Sequence, residues 1–380
     1  MRLRDLIDGL DARVIGDASV EVRQVLSDSR AVNPGDVFVA VRGIRADGHA
    51  FVSTALERGA VAVVVERELP ELRVPQVVVA NGAVALGVMV GHALGDPAKS
   101  MTLIGITGTN GKTTTTYIVE HILLAAGAKP GVIGTVAYRW GGPGGPTIDA
   151  PYTTPTPQLL HEALAKMREA GCTHVVMETT SSALVMHRLA GLEFAVGAFS
   201  NLTQDHLDVH GTMDAYRDAK RLLFTTHMPA GTAVVNVDDP EGPGMAGLAR
   251  TKVLRVSSRG AASEISVVAQ DSSVKGISAR VATPRGELAI KARPLIGQYN
   301  VDNLVLAIGI AEALGLPHET IARGIARLPG VPGRVERVAN DADLDIFVDY
   351  AHTPDALRNV LAALRPLTRR RLICVFGCGG

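Results

Sequence analysis

Two hydrophobic rhythms alternate along the chain. Short continuous apolar runs at residues 61–65, 131–136, 174–178, 195–200 and 233–237 predict buried strands. Between such runs apolar positions recur every three or four residues, as at Ile118, Ile122 and Leu123, and predict helices with one buried face. Strand and helix in alternation predict an α/β fold with parallel layers, because a parallel strand pair needs a covering crossover. Residues 101–107 predict one more short buried strand. From about 264 to 293 short runs follow one another without helices, which predicts a small antiparallel patch within the same domain. "RWGGPGGPTIDAPYTTPTP", residues 139–157, is so rich in Gly and Pro that it predicts a surface loop without regular structure.

Gly- and Pro-rich breaks at "GDPAKS" and "LPGVPGR" predict three domains, 1–97, 98–333 and 334–380. The last supplies two strands and a helix and stops on "VFGCGG", after an apolar run that reads as a buried strand. Such a strand needs neighbours and covering helices, so a chain incomplete at its C-terminus is expected. The 38 basic and 38 acidic residues balance without a basic stripe, which argues against a nucleic-acid partner. The most apolar stretch, 77–94, is interrupted by Asn81, Gly82, Gly87, Gly91 and His92, and the N-terminus is too charged for a signal peptide. A soluble, cytoplasmic protein without membrane insertion is the expectation. Cys172, Cys374 and Cys378 form no C-x-x-C pair and indicate neither disulfides nor zinc.

The chemistry begins at "GITGTNGKTTTT", residues 105–116, between a predicted strand and a predicted helix. Threonine is a weak helix former, so four in succession point to a use for their hydroxyls. Glycines let a backbone approach phosphate, a helix N-terminus offers N–H groups and partial positive charge, and Lys112 adds a full one. A hydroxyl behind the lysine can ligate magnesium. The pattern G-x-x-x-x-G-K-[ST] is met except at Ile106, with Gly105 and Gly108 on either side. Binding of a nucleoside triphosphate is expected.

Other clusters follow. "TTPTP" (153–157) offers hydroxyls to a ligand or merely caps a helix. Glu178 ends a predicted strand, where a carboxylate holds a metal ion facing phosphates or is simply solvated. Asp205, His206, Asp208 and His210 precede a helix that carries Lys220; they lie near a metal or only cap. Asn300 and Asn303, before another helix, read a purine rim or cap, and capping is favoured from the residues alone. Lys220 by itself reads as a surface lysine.

"GITGTNGKTTT", "TTPTP", "NLTQDHLDVHG", "DAYRDAK", "GQYNVDNLVLA", "GVPGRVERV" and "VDYAHTPDAL" in this order resemble the Mur ligase family, over a span from about Leu26 to the final glycine. The resemblance implies an N-terminal UDP-sugar-binding α/β domain, a central P-loop-type ATPase domain with a parallel sheet, and the start of a C-terminal Rossmann-like, amino-acid-binding domain. It implies an ATP-dependent ligase that adds a diamino acid to the D-glutamyl carboxylate of UDP-N-acetylmuramoyl-L-alanyl-D-glutamate through an acyl phosphate, in peptidoglycan precursor synthesis. Two magnesium ions and a monomer are expected with it. Gly108, Thr109, Asn110, Gly111, Lys112, Thr113 and Thr114 would hold phosphate, with Asn300, Asn303, Asp349 and His352 elsewhere on ATP. Ser29, Ile44, Arg45 and Ala46 would meet the UDP-sugar; Thr153, Thr154, Thr180 and Arg188 would meet the muramoyl-dipeptide arm. Thr113, Glu178, His206 and Lys220, the last as a carbon dioxide-derived carbamate, would hold metal. Lys112, Lys220, His206 and Glu178 would thus be the catalytic set, and Arg334 would belong to the hinge. Ser182 and Met186 stand where the family pattern has histidine and glutamine, which weakens the individual sugar and dipeptide assignments. Two further expectations remain open: a module that only binds UDP-sugar and ATP, and a folylpolyglutamate synthetase-like ligase.

Overall fold

The computed structural model describes residues 1–43, 46–142, 144–342, 344–352 and 354–377. They form two compact units: Met1–Thr102 with Thr154–Gly171 and Ser181–Glu193, and Leu103–Thr153 with Cys172–Thr180 and Phe194–Gly380. The units interleave along the chain rather than following one another.

In the first unit a sheet runs in the order Ala12–Ile15, Gln76–Val79, Ala62–Val65, Val37–Val39, Val25–Leu26. Only the first pairing is antiparallel. The run at 62–65 is continuously apolar because both its faces are covered. Ala62 and Val64 pack with Ala85, Leu86 and Met89 of the helix Gly82–Ala93, while Val63 and Val65 pack with Val52 and Ala55 on the other side. Asn81 separates the apolar stretch into strand and helix by accepting the N–H groups of Ala83 and Val84 at 2.9 and 3.1 Å. Among the described residues no helix is long and apolar enough to cross a membrane.

The second unit is built on an eleven-stranded sheet among the described residues. At its centre Thr102–Thr107 lies between His174–Glu178 and Val196–Phe199, with Pro130–Ile133 beyond the former and Thr232–Asn236 beyond the latter. Strand order therefore reverses at Thr102–Thr107, and the crevice at the carboxyl ends of these strands is where an open α/β sheet takes ligands. The helices Lys112–Ala125 and Gln298–Ala313 share one buried cluster with this sheet, including Ile118, Ile122, Val234, Val305 and Ile308.

Two expectations change and one holds. Residues 139–157 are not wholly irregular: Tyr138–Trp140 pairs with Pro130–Ile133 and with Thr147–Ile148, both antiparallel, because the glycines turn the chain back on itself. The expected antiparallel patch is present as Ile265–Ser273, Gly276–Thr283 and Gly286–Ala292, and it continues the large sheet through the parallel pairing of Val253–Ser257 with Ile265–Ser273. Beyond the hairpin of Glu336–Val338 with Ile346–Val348 and the helix Pro354–Leu364, the expected buried strand near 372–376 is not formed. It pairs with no strand among the described residues, so Ile373, Val375 and Phe376 face solvent.

Candidate active site

The loop after Thr102–Thr107 turns into the helix Lys112–Ala125 through Gly111, whose φ is 86°. A Cβ on Gly111 would lie 2.2 Å from Asn303 Oδ1, so only glycine fits both the backbone conformation and the space. The end of the neighbouring strand clamps the loop. Thr109 N donates to Asn201 O and Asn110 N to Asn201 Oδ1, both at 2.9 Å, while Ser200 Oγ donates to Asn110 O at 2.6 Å. Lys112 Nζ curls back to donate to the carbonyls of Gly108 and Thr109 at 2.8 Å each. Lys112 is half-buried, and desolvation lowers its pKa; Glu178 and Asp205 oppose that shift, and Arg334 adds to it.

The four threonines divide their work. Thr113 Oγ1 donates to Glu178 Oε2 at 3.1 Å, and Thr114 is buried beside it. Thr115 is buried, and Thr116 Oγ1 returns to Lys112 O at 2.8 Å. Glu178, itself buried at the end of His174–Glu178, also accepts Thr135 N at 2.9 Å and Thr135 Oγ1 at 3.0 Å. A Cβ on Gly134 would sit 2.3 Å from Glu178 Oε1, which explains a glycine there. A cavity of about 370 Å³ opens over these strand ends and brings together Gly111–Thr114, Glu178, His206, Asn303, Asp349 and His352.

Residues 106–311 match the Mur ligase middle domain, 21–93 the Mur ligase family catalytic domain and 333–380 the Mur ligase glutamate ligase domain. A UDP-N-acetylmuramoyl-L-alanyl-D-glutamate–2,6-diaminopimelate ligase of Gloeobacter violaceus is 44% identical, covering 100% of this chain and 77% of its own length. The enzyme of the same description from Geobacter metallireducens is 42% identical, covering 100% and 75%. A solved structure of a ligase so described superposes with a TM-score of 0.82 at 29% identity, covering 100% of this chain and 77% of that one. The chain belongs to the Mur ligase family. It is an ATP-dependent amino-acid ligase.

Mur ligases use ATP with Mg2+, and the donor set here suits that ion. Thr113 and Glu178 offer oxygen ligands side by side at the phosphate end of the loop. Among the described residues no three His, Cys, Asp or Glu side chains converge into a cage. Magnesium characteristically takes one or two carboxylates plus phosphate oxygens and keeps several waters, a demand that one carboxylate beside a hydroxyl can meet.

The remaining metal residues are arranged differently. His206 adopts a left-handed conformation (φ 52°) and lines the cavity with half its side chain exposed. Asp208 and His210 fall within the short helix Leu207–His210 rather than in an open turn. Lys220, on Met213–Thr225, is not the surface lysine its sequence context suggests: it is 1% exposed, with Nζ 4.2 Å from the centroid of the Tyr216 ring. Desolvation drives its pKa well below the ordinary lysine value, Lys112 pushes the same way and Asp205 opposes. Tyr216 OH lies 3.1 Å from Thr109 Oγ1, which joins this helix to the phosphate loop.

Asn300 and Asn303 do not precede a helix or cap it. They lie inside Gln298–Ala313, where Asn300 Nδ2 donates to Ile296 O at 2.9 Å and Asn303 Nδ2 to Asn300 Oδ1 at 3.0 Å. Nor does Thr156 make a side-chain cap for Pro157–Glu169, although Pro157 does occupy an early helical position. Asp349 accepts the N–H groups of Val335 and Ala351 at 2.8 and 2.7 Å, and the His352 ring bonds Tyr350 O at 2.9 Å.

Thr153 and Thr180 line the cavity. Thr154, Arg188, Ser29 and Ala46 belong to the other compact unit, where Arg188 Nη1 donates to Thr154 O at 3.0 Å and Ser29 is buried in the turn Ser29–Ala31. Ile44 and Arg45 lie outside the described residues. Sequence reasoning missed Thr135, Asn201, Tyr299 and the reach of Arg334, whose Nη2 donates to Thr113 Oγ1 at 3.3 Å. The position of Asn201 directly before "LTQDH" was a usable signal; a lone Thr135 outside any glycine loop was not.

Proposed function

We propose that the chain adds 2,6-diaminopimelate to the D-glutamyl carboxylate of UDP-N-acetylmuramoyl-L-alanyl-D-glutamate, as a cytoplasmic, monomeric enzyme of peptidoglycan precursor synthesis. The observation that carries the reading is similarity over the whole of this chain and 77% of the relative, at 44% identity, to a ligase of that description, joined to a phosphate loop whose Thr113 meets Glu178. Functional domains at 1–97 for UDP-sugar, 98–333 for ATP and 334–380 for the start of the amino-acid domain are supported by the three matched regions.

A carboxylate is a poor electrophile, because oxide cannot leave. Its oxygen therefore attacks the γ-phosphorus of ATP, the bond to the β-phosphate oxygen breaks, and ADP departs with that electron pair. The amine of the incoming acid then adds to the acyl carbon, loses a proton, and expels phosphate as the amide forms. Bringing carboxylate to triphosphate brings anions together, so cations must surround the junction. Gly108 to Thr114 would hold the phosphates through Lys112 and the backbone N–H groups that Asn201 does not already occupy, and Thr113, Glu178 and His206 would hold metal. Magnesium, when bound, neutralises phosphate charge and fixes its geometry. Asn300, Asn303, Asp349 and His352 complete the nucleotide side. Ser29, Ile44, Arg45, Ala46, Thr153, Thr154, Thr180 and Arg188 serve the UDP-sugar and its dipeptide arm. Lys220 works as a carbamate: its neutral amine forms a bond to carbon dioxide with loss of a proton, which replaces a cation by a metal-holding anion. Its burial and lowered pKa support the neutral amine this requires.

The test is phosphate release from ATP with UDP-N-acetylmuramoyl-L-alanyl-D-glutamate and each of meso-diaminopimelate, L-lysine and L-ornithine. Turnover with diaminopimelate alone is expected. Turnover with L-lysine alone would overturn the proposed acid. Binding of UDP-sugar and ATP without turnover would leave a binding module, and binding of a folate but no UDP-sugar would favour a folate-type ligase.

A further inference from the structure

Thr135 lies in the loop after Pro130–Ile133, and no matched motif draws attention to it. Its N–H donates to Glu178 Oε1 at 2.9 Å and its hydroxyl to Glu178 Oε2 at 3.0 Å, so a single residue grips both oxygens of the buried carboxylate. The same hydroxyl lies 3.1 Å from Thr153 Oγ1. Direction follows from chemistry. An ionised carboxylate only accepts, and a hydroxyl has one proton. With that of Thr135 given to Glu178, the Thr153–Thr135 bond needs the Thr153 proton.

We propose that Thr135 is a positioning residue that orients Glu178 for metal and, through the relay Thr153 to Thr135 to Glu178, leaves Thr153 only as a hydrogen-bond acceptor towards its ligand. Thr153 therefore recognises a donor, such as an amide N–H of the dipeptide arm, and not a carboxylate. The metal side and the substrate side of the reaction share this one hydroxyl. The inference rests on the proposed metal role of Glu178, and its test separates the two.

Binding of Mn2+ with ADP is read by electron paramagnetic resonance, and binding of UDP-N-acetylmuramoyl-L-alanyl-D-glutamate by calorimetry, on wild type, Thr135→Val, Thr135→Ser and Glu178→Gln. Groups that orient a metal ligand are typically worth about tenfold or more in metal affinity, so Thr135→Val is expected to weaken Mn2+ by about that factor and Thr135→Ser to restore it. The dipeptide should bind about fivefold more weakly to Thr135→Val, the value of one ordinary hydrogen bond. If the valine variant does not fold, Thr135→Ala replaces it. Wild-type Mn2+ affinity in the Val or Ala variant, alongside loss in Glu178→Gln, overturns the role of Thr135 alone. Unchanged affinity in Glu178→Gln overturns the metal reading itself and this inference with it.

Discussion

His161 provides a pH-dependent test of the packing in the first unit. It lies on Pro157–Glu169, is 2% exposed, and no protein group among the described residues bonds either ring nitrogen. Burial pushes its pKa down from 6.5 to about 4; nearby Asp96 opposes the shift and His92 adds to it. Well above pH 6.5 the ring is neutral in both the folded and unfolded chain and gives no pH dependence. As pH falls from there towards 4, the unfolded chain takes a proton that the folded chain refuses, so stability falls with pH. At ~1.4 kcal/mol per pH unit the whole window amounts to about 3 kcal/mol. The perturbation is His161→Leu, which removes the titration and keeps an apolar filling. Urea unfolding curves for wild type and variant, from about pH 7.5 down to about pH 4.5, measure the difference and cancel every other titrating group. The two proteins should lie within about 1.5 kcal/mol at neutral pH. The variant should then gain steadily on wild type as pH falls. Parallel curves through the window would refute a buried neutral imidazole.

Lys112→Ala should weaken ATP binding about 10- to 100-fold, the scale of a charge-assisted hydrogen bond, and leave UDP-sugar binding nearly intact; calorimetry showing equal loss of both in a folded variant would refute the separate assignments. Gly111→Ala forces a Cβ to 2.2 Å from Asn303 Oδ1 at a φ of 86°, so a loss of about 2 kcal/mol or more in thermal unfolding is expected, with weaker nucleotide binding. An unchanged melting temperature and ATP affinity would show that the amide simply moves aside. Lys220→Ala should lose ligase activity and regain part of it with acetate or formate, which supply the missing carboxylate. Wild-type turnover in the variant, or an unmodified ammonium at Lys220 in a crystal structure of the active metal complex, would reject the carbamate.

What the sequence determined by itself is what local chemistry encodes. Strand His174–Glu178 was readable to the residue, because an apolar run covered on both faces is specified by its own side chains. The phosphate loop was equally legible, since glycines, lysine and hydroxyls at fixed spacing have few other uses together. Elements that depend on a partner were not. The apolar run near 372–376 carries the pattern of a strand but pairs with none among the described residues. The weak hairpin at Tyr138–Trp140 exists because Pro130–Ile133 offers it an edge. At the site, sequence could name Lys220, Asn303 and Arg334 but not their settings: a lysine that is 1% exposed, an amide packed against Gly111, a guanidinium donating to Thr113. Thr135 had no local signature at all. Its importance comes from two strand ends that lie side by side only once the sheet has formed, and hydrogen bonds of that kind are decided by tertiary distance, which no local pattern of residues records.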